Sequence, residues 1–288
     1  MEISGALAQD YPAGCLYVTA VPIGNMADMT LRALAVLNLC DAVAAEDTRM
    51  TKKLLEKFSI RKPLMSVREH NEASQEDMII QRLLKGERIA LVTDAGTPAI
   101  SDPGAKTVEA VRKAGLRVVP VPGACACVTA LSAAGLSGTG FTFAGFLPPQ
   151  AGLRDKALAE LAGRGEAFVL YEAPHRLNAL LASMAAVLEP EREITVAREL
   201  TKRFECIETL PASALAAYAA SREPRGEYAL VIHEKPKSAA PELSESDRKW
   251  LFEAAKALPP SKAAALAAKV TGIRREDLYT LLESKKNS

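Results

Sequence analysis

Apolar and polar positions along the chain switch repeatedly between two periods. Cys15–Val21 is a short run rich in valine and tyrosine, and Thr30–Leu39 then places Leu31, Leu34 and Ala35 at helical spacing. The exchange repeats, with Asp41–Ala45 read as a strand, Met50–Phe58 as a helix and Lys62–Val67 as a third strand. Ile79, Ile80, Leu83 and Leu84 form one helical face, and Ser74 with Asp77 reads as a capping-box variant before it. Arg88–Thr93 holds a continuous apolar run, the pattern of a strand covered on both faces. Asp102 followed by Pro103 reads as an N-cap and first helical residue, Gly115 as the stop, and Leu116–Val121 as the next strand. This β-α alternation predicts a mostly parallel sheet with helices on both faces.

A second α/β region follows, with the boundary placed near Pro122, where Pro120-Val-Pro-Gly123 interrupts the pattern. Phe141–Phe146 and Ala167–Tyr171 are strand candidates, with a helix near Arg154–Ala162 between them and another over Pro174–Leu188. Glu193–Ala197, Phe204–Glu208 and Glu227–His233 also read as strands, and their short connections predict a mixed sheet. After Lys235 the pattern changes. Pro236–Glu242 has linker composition, and Ser244 with Asp247 caps a helix carrying Trp250, Leu251, Ala254 and Leu258. Pro259-Pro-Ser261 starts another, with Leu266 and Val270 on one face, and Thr271-Gly272 turns into a third over Arg274–Leu282. The expected organisation is a disordered N-terminus over 1–14, α/β domains over 15–122 and 123–235, and a helical tail domain over 236–288.

Composition narrows the class without naming a function. In 288 residues, 49% are apolar and 25% charged, and the formal charge is +1, so overall charge points to neither a nucleic-acid nor a membrane partner. The basic excess is local: from Lys237 onward ten Lys or Arg face seven Asp or Glu, a net +3. Five scattered cysteines, Cys15, Cys40, Cys125, Cys127 and Cys206, suit reduced thiols, and Met1–Gly14 lacks the basic start and apolar run of a signal peptide. A cytoplasmic protein is expected. Three unpaired histidines and a C-x-C spacing disfavour a metal site.

In open α/β sheets, ligands bind beyond the carboxyl ends of the strands. Three such ends carry small, glycine-containing turns: Val21-Pro-Ile-Gly-Asn25, Asp94-Ala-Gly-Thr-Pro98 and Pro122-Gly-Ala-Cys-Ala126. Each alone is an ordinary βα turn, but three at one sheet edge favour a site. None is G-x-G-x-x-G, and no P-loop pattern is present, so ordinary dinucleotide and P-loop phosphate binding are disfavoured.

These turns belong to a larger set of motifs: Ala45-Glu-Asp-Thr-Arg49, His70-Asn71, Leu91-Val-Thr-Asp-Ala-Gly-Thr-Pro98 with Ser101-Asp-Pro-Gly104, Leu170-Tyr-Glu-Ala-Pro-His-Arg176, and Arg198-Glu-Leu-Thr-Lys202 with Phe204-Glu205. Over roughly residues 15–235 the chain resembles the tetrapyrrole methylase superfamily of S-adenosylmethionine-dependent methyltransferases. Within it, the chain is similar to the small-subunit ribosomal RNA 2′-O-ribose methyltransferase I family. Generic superfamily members carry Gly-Asp-Pro where this chain has Asp94-Ala-Gly-Thr-Pro98.

The resemblance implies two α/β domains of the tetrapyrrole methylase type with the methyl donor in the cleft between them, and a homodimer. It places donor contacts on Pro22, Asp94, Ala95, Gly96, Ile100, Cys125, Ala126, Tyr171 and Glu172, with Ala197–Glu199 a weaker candidate. It also implies 2′-O-methylation of a cytidine in small-subunit (16S) ribosomal RNA, in the assembled 30S subunit, with no metal cofactor and no membrane partner. A carboxylate near the donor's sulfonium is favourable, and Asp94 at a strand end suits that role, although an Asx turn or cap is the commoner use of such a residue. Candidates for removing the ribose proton are Glu46, Asp47 and His70, with Glu172 and Lys202 behind them. Arg49, Arg68, His175, Arg176, Lys202 and Arg203 flank the cleft loops as RNA contacts or as a solvated basic face. Arg274 and Arg275, opening the last helix of a helix-turn-helix-like pair, suit phosphates. Two rivals remain at this point: a tetrapyrrole C-methyltransferase, and a non-catalytic nucleic-acid-binding protein that uses the C-terminal helices.

Overall fold

A computed structural model describes residues 5, 8–67, 72–136, 138, 140–236 and 243–286. They fall into two compact units, residues 1–235 and 236–288.

The first unit contains two five-stranded sheets. In the first, β1 (Cys15–Thr19), β2 (Ala42–Ala45), β3 (Leu64–Ser66), β4 (Ile89–Val92) and β5 (Arg117–Val121) are all parallel, in the order β3-β2-β4-β1-β5. Side chains alternate across a strand, so successive residues enter different cores. Tyr17, Val43, Ala90 and Val92 pack with Ala33, Val36 and Leu37 of α1 (Leu31–Leu39) and Leu55 of α2 (Thr48–Lys57). Leu16, Ala44, Ile89 and Leu91 pack on the other face with Ile79 and Leu83 of α3 (Glu72–Leu84) and Val111 of α4 (Ala105–Lys113). Each fully buried aliphatic side chain contributes about 1.5–3 kcal/mol. The connection leaving β1 runs to one face and that leaving β4 to the other, so the neighbouring β1 and β4 form a switch point where loops part and leave a crevice.

The second sheet is mixed, in the order β6-β7-β10-β8-β9. Its strands are β6 (Phe141–Gly145), β7 (Ala167–Glu172), β8 (Glu193–Arg198), β9 (Cys206–Pro211) and β10 (Tyr228–Ile232). β6 lies parallel to β7, and the other pairs are antiparallel. Phe168, Leu170, Ile194, Leu230 and Ile232 pack with α6 (Ala151–Gly163), α7 (Pro174–Val187) and Leu215 of α8 (Leu215–Ala220). The opposite face, with Val169, Ala197, Ala229 and Val231, is covered by Cys127, Ala130 and Ala134 of α5 (Ala126–Ala134). Arg192 is fully buried, donating Nε to His233 O (2.9 Å), Nη1 to Ala162 O (3.1 Å) and Nη2 to Glu166 O (3.0 Å).

The second unit is a three-helix cluster, α9 (Glu245–Ala257), α10 (Pro260–Thr271) and α11 (Arg275–Lys286). Ser244 caps α9 by accepting from the Asp247 N–H at 3.1 Å, as its sequence predicts.

Four expectations are corrected. Tyr11 is buried, its carbonyl accepts from Arg88 Nε at 2.8 Å, and Tyr17 Oη donates to Pro12 O at 2.7 Å, so Tyr11 and Pro12 are packed in place, while residues 1–4, 6 and 7 lie outside the described residues. Ser74 lies inside α3, which starts at Glu72, and so does not precede it as a cap. α4 begins at Ala105 behind Gly104, so Asp102 is a loop residue and not the N-cap. In α10 the buried face is Ala263, Ala264 and Ala267, whereas Leu266 and Val270 are exposed. Except for Pro236, the expected linker Pro236–Glu242 lies outside the described residues.

Candidate functional site: a pocket between two sheets

The loop after β4 carries much of the site. Gly96 sits at φ +82°, a conformation that side chains disfavour, and an added Cβ would stand 3.3 Å from Ile23 Cγ2. This lets the loop pair with the turn after β1: the Val21 N–H donates to Gly96 O at 2.8 Å, and the Gly96 N–H returns to Val21 O at 3.1 Å. Thr97 Oγ1 donates to Ala124 O at 3.0 Å, tying the same loop to the turn after β5. Further on, Ala99 (φ 68°) and Ser101 (φ 62°) hold left-handed backbone without being glycine, at about 1–2 kcal/mol each. Such strain persists only where surrounding contacts over-determine it. Here it turns Asp102 toward the pocket.

The facing wall comes from the second sheet. Tyr171, near the end of β7, accepts from the Cys127 N–H at 2.7 Å and meets Phe143 and Phe146 edge-on at 5.0 and 5.8 Å. Burial pushes its phenol pKa up. Glu172 is buried. Its Oε1 accepts from the Ala173 N–H at 2.9 Å and meets Arg176 Nε at 3.1 Å, but its Oε2 has no hydrogen-bond partner among the described residues. Leaving such an atom unpaired costs about 1–3 kcal/mol, so it is an acceptor awaiting a donor. Below it, Lys202 Nζ bridges Glu199 and Glu227, at 2.9 Å each. The Lys202 stem lies against Gly24, whose added Cβ would come within 2.5 Å of Cγ; only a residue without a side chain fits there.

These loops enclose a cavity of about 300 Å³, within the range of small-molecule sites. Ala95, Gly96, Ile100, Cys125, Ala126, Tyr171 and Glu172, all picked from the sequence, line it; so does Ala197 of the weaker segment. Pro22 and Asp94 do not. Asp94 lies at the rim, where its Oδ1 accepts from the Asp47 N–H at 3.2 Å, and burial, with Glu46 and Asp47 nearby, raises its carboxyl pKa. Asp102, Phe146, Glu227 and Tyr228 also line the cavity and had no functional assignment from the sequence. The Asp102-Pro103 pair resembles a helix start, which hid Asp102; the available signal was its place in the same loop as Asp94.

The proton-acceptor candidates separate clearly. Asp47 caps α2 by accepting from the Arg49 N–H at 2.8 Å and is gripped by the Arg49 guanidinium at 2.7 and 3.1 Å, which holds its carboxyl far below the usual range. Glu46 accepts from Thr93 Oγ1 at 2.8 Å and is not in the cavity wall. His70 and Arg68 lie outside the described residues. Among the expected RNA contacts, Arg49 is bound to Asp47, Arg176 donates to Leu147 O at 2.5 Å besides meeting Glu172, and Lys202 is paired as above. Arg203 is exposed, its guanidinium 5.6 Å over the exposed Phe204 ring, and His175 is exposed.

Two α/β sheets enclosing a ligand-sized pocket at a switch point define an α/β enzyme that binds a small molecule in its cleft. Residues 15–216 match the family model for tetrapyrrole (corrin/porphyrin) methylases, and residues 241–285 match that for the RsmI C-terminal HTH domain. The chain belongs to the tetrapyrrole methylases, and so is a methyltransferase that uses S-adenosylmethionine. It is 47% identical to the ribosomal RNA small subunit methyltransferase I of Neisseria meningitidis serogroup B, over 95% of this chain and 94% of that one. The proteins of the same name from Pseudomonas aeruginosa and Vibrio cholerae are 44% and 43% identical, covering 93% of this chain and 96% and 93% of theirs. The fold is shared with a cobalt precorrin-4 methyltransferase (TM-score 0.59, 16% identity, 78% and 98% of the two chains). A uroporphyrin-III C-methyltransferase from Thermus thermophilus, complexed with S-adenosyl homocysteine, also shares it (TM-score 0.54, 16% identity, 76% and 97% of the two chains).

Proposed function

We propose that this chain transfers a methyl group from S-adenosylmethionine to the 2′-hydroxyl of a cytidine ribose in small-subunit (16S) ribosomal RNA. The observation that carries the reading is the likeness to ribosomal RNA small subunit methyltransferases I along nearly the whole chain, the C-terminal helices included. The pocket's chemistry supports the donor. Ile23, Ile100, Phe146 and Leu200 offer apolar walls to a nucleoside, while Glu172 and Glu227 place carboxylates where a sulfonium and an ammonium need them. The unpartnered Glu172 Oε2 would receive a hydrogen bond from the donor's amine or hydroxyl groups. Cys125, Ala126 and the Tyr171–Glu172 turn would hold the rest. Arg203 with Phe204, and Arg275 at the start of α11, are exposed groups suited to phosphate and base contact.

A homodimer, an assembled 30S subunit as substrate and a cytoplasmic location complete the proposal on the strength of the family resemblance. The test is incubation of the full chain with unmethylated small subunits and tritiated donor, followed by nuclease mapping. Label on one cytidine ribose is expected. Label on a base, or transfer only to a free tetrapyrrole, overturns the reading.

A further inference from the structure

We propose that Asp102 is the group that takes the proton from the ribose 2′-hydroxyl. The inference rests on the methyltransferase reading above and names the chemistry of one residue within that pocket.

Position selects Asp102. Among the carboxylates of the described residues, only Asp102, Glu172 and Glu227 line the cavity. Glu172 is pinned by Arg176 and the Ala173 N–H, and Glu227 is paired with Lys202, so both already share their charge with a cation. Asp102 makes no ion pair among the described residues. Lys202 is held in its charged form by two carboxylates and cannot accept a proton. The loop that presents Asp102 spends two strained non-glycine residues, Ala99 and Ser101, on that orientation. Glu172 Oε2, unpartnered and at least nine-tenths buried in the same pocket wall, shows independently that the space is built for a polar ligand.

The surroundings suit a base. Glu46 at the end of β2 and Asp94 at the end of β4 act on Asp102 from the first sheet. The titratable groups across the pocket are Cys125, Tyr171, Glu172, Glu227 and Tyr228. The Thr93 hydroxyl reaches both Glu46 and Asp102 but has one proton to give, and it donates to Glu46. Burial first, then the charges of Glu46 and Asp94, push the Asp102 carboxyl up to about 6. It is therefore ionised at neutral pH and more basic than an ordinary carboxylate, the compromise a general base requires.

The step balances. The ribose oxygen forms a bond to the methyl carbon as the carbon–sulfur bond breaks. That electron pair stays on sulfur, leaving a neutral thioether, and the hydroxyl proton passes to the Asp102 carboxylate. A cation and an anion are thus converted to two neutral groups, which a low-dielectric pocket favours.

The experiment is single-turnover methyl transfer to unmethylated small subunits at saturating donor, across pH 5 to 9, for the wild-type chain and D102N. Donor affinity is measured on both by calorimetry. Ribose labelling by the wild-type chain in the same assay keeps this test separate from the functional reading. The wild-type rate should fall on an acid limb with an inflection near 6. D102N should bind the donor within threefold of wild type, lose about 10²–10⁴-fold in rate and lose that limb. A D102N rate within threefold of wild type, or a slowed rate with the limb retained, overturns the proposal. So does a tenfold loss of donor affinity with an unchanged rate at saturation, because Asp102 would then hold the donor instead.

Discussion

The two sheets bury different kinds of polar group. Among the described residues, the buried polar side chains of the first lobe are Thr19, Thr51, Thr93 and Thr107; those of the second include Arg154, Arg192, Glu172 and His233. The first sheet is parallel throughout, and helices cover both of its faces with aliphatic side chains. Such a sheet satisfies its backbone within the ladder and needs only hydroxyls in its interior. The second changes strand direction three times, and one buried guanidinium collects the carbonyls of Ala162 at the end of α6, Glu166 just before β7 and His233 just after β10. The same contrast holds at the pocket. The first lobe contributes loop backbone and Asp102, whereas the second contributes strand ends, aromatic rings and Glu172. Both lobes hold left-handed non-glycine residues beside the pocket, Ala99 and Ser101 in the first and Glu199 and Thr201 in the second, but only the second adds aromatic rings.

The sharpest way to break this contrast is Arg192→Ala. Three buried carbonyls would lose their donor at once, so stability should fall by on the order of 3 kcal/mol in urea unfolding. A loss below about 1 kcal/mol would show that the second lobe does not depend on its buried charge.

The second prediction concerns strain and charge in the first lobe. The Asp102 carboxyl takes up a proton more readily in the folded chain than its ordinary value of 3.8 allows. Its stabilising contribution is therefore complete below about pH 4 and is lost as pH rises through about 6. At pH 8, D102N should be more stable than wild type by about 1–2 kcal/mol, with the gap closing in acid; solvent access keeps the gain below the full value of the shift. Equal stability at both pH values would mean that the carboxylate sits in a water-like setting. A gain in stability with a loss in rate is the trade expected of a strained catalytic group.

Lys202→Met has the smallest effect. The pairs with Glu199 and Glu227 are partly exposed, so thermal unfolding should register less than about 1 kcal/mol, diminishing with added salt. A larger loss would make this lysine a structural tie between Gly24 and the second sheet.

Much of the architecture was legible in the alternation of apolar residues. All five strands of the first sheet lie where continuous or β-branched runs placed them, within two residues at each end. A parallel strand buried on both faces leaves that signature because it has no polar side to dilute it. The misses share a cause: a local rule was overridden by packing. Leu266 and Val270 mark one apolar face of α10, but the helices approach through Ala263, Ala264 and Ala267, where small side chains permit contact. Asp102-Pro103 has helix-start chemistry, yet the following Gly104 carries the chain into α4 at φ +125°. Arg192 stands between two glutamates in the sequence, and nothing local marks the three carbonyls that converge on it from elsewhere in the chain. Seven of the positions that the resemblance implies for the donor line the cavity from both sheets, while the base candidates Glu46 and Asp47 lie beyond it.

Isothermal titration of the full chain with S-adenosylmethionine tests the central claim most directly, because the whole account assumes that this one cavity receives the methyl donor. The account predicts saturable heat at one site per chain, abolished when S-adenosyl homocysteine is already bound. It also predicts weakened binding when Ala126→Leu fills the space beside Cys125. No heat at millimolar donor, or binding that Ala126→Leu leaves unchanged, would contradict it.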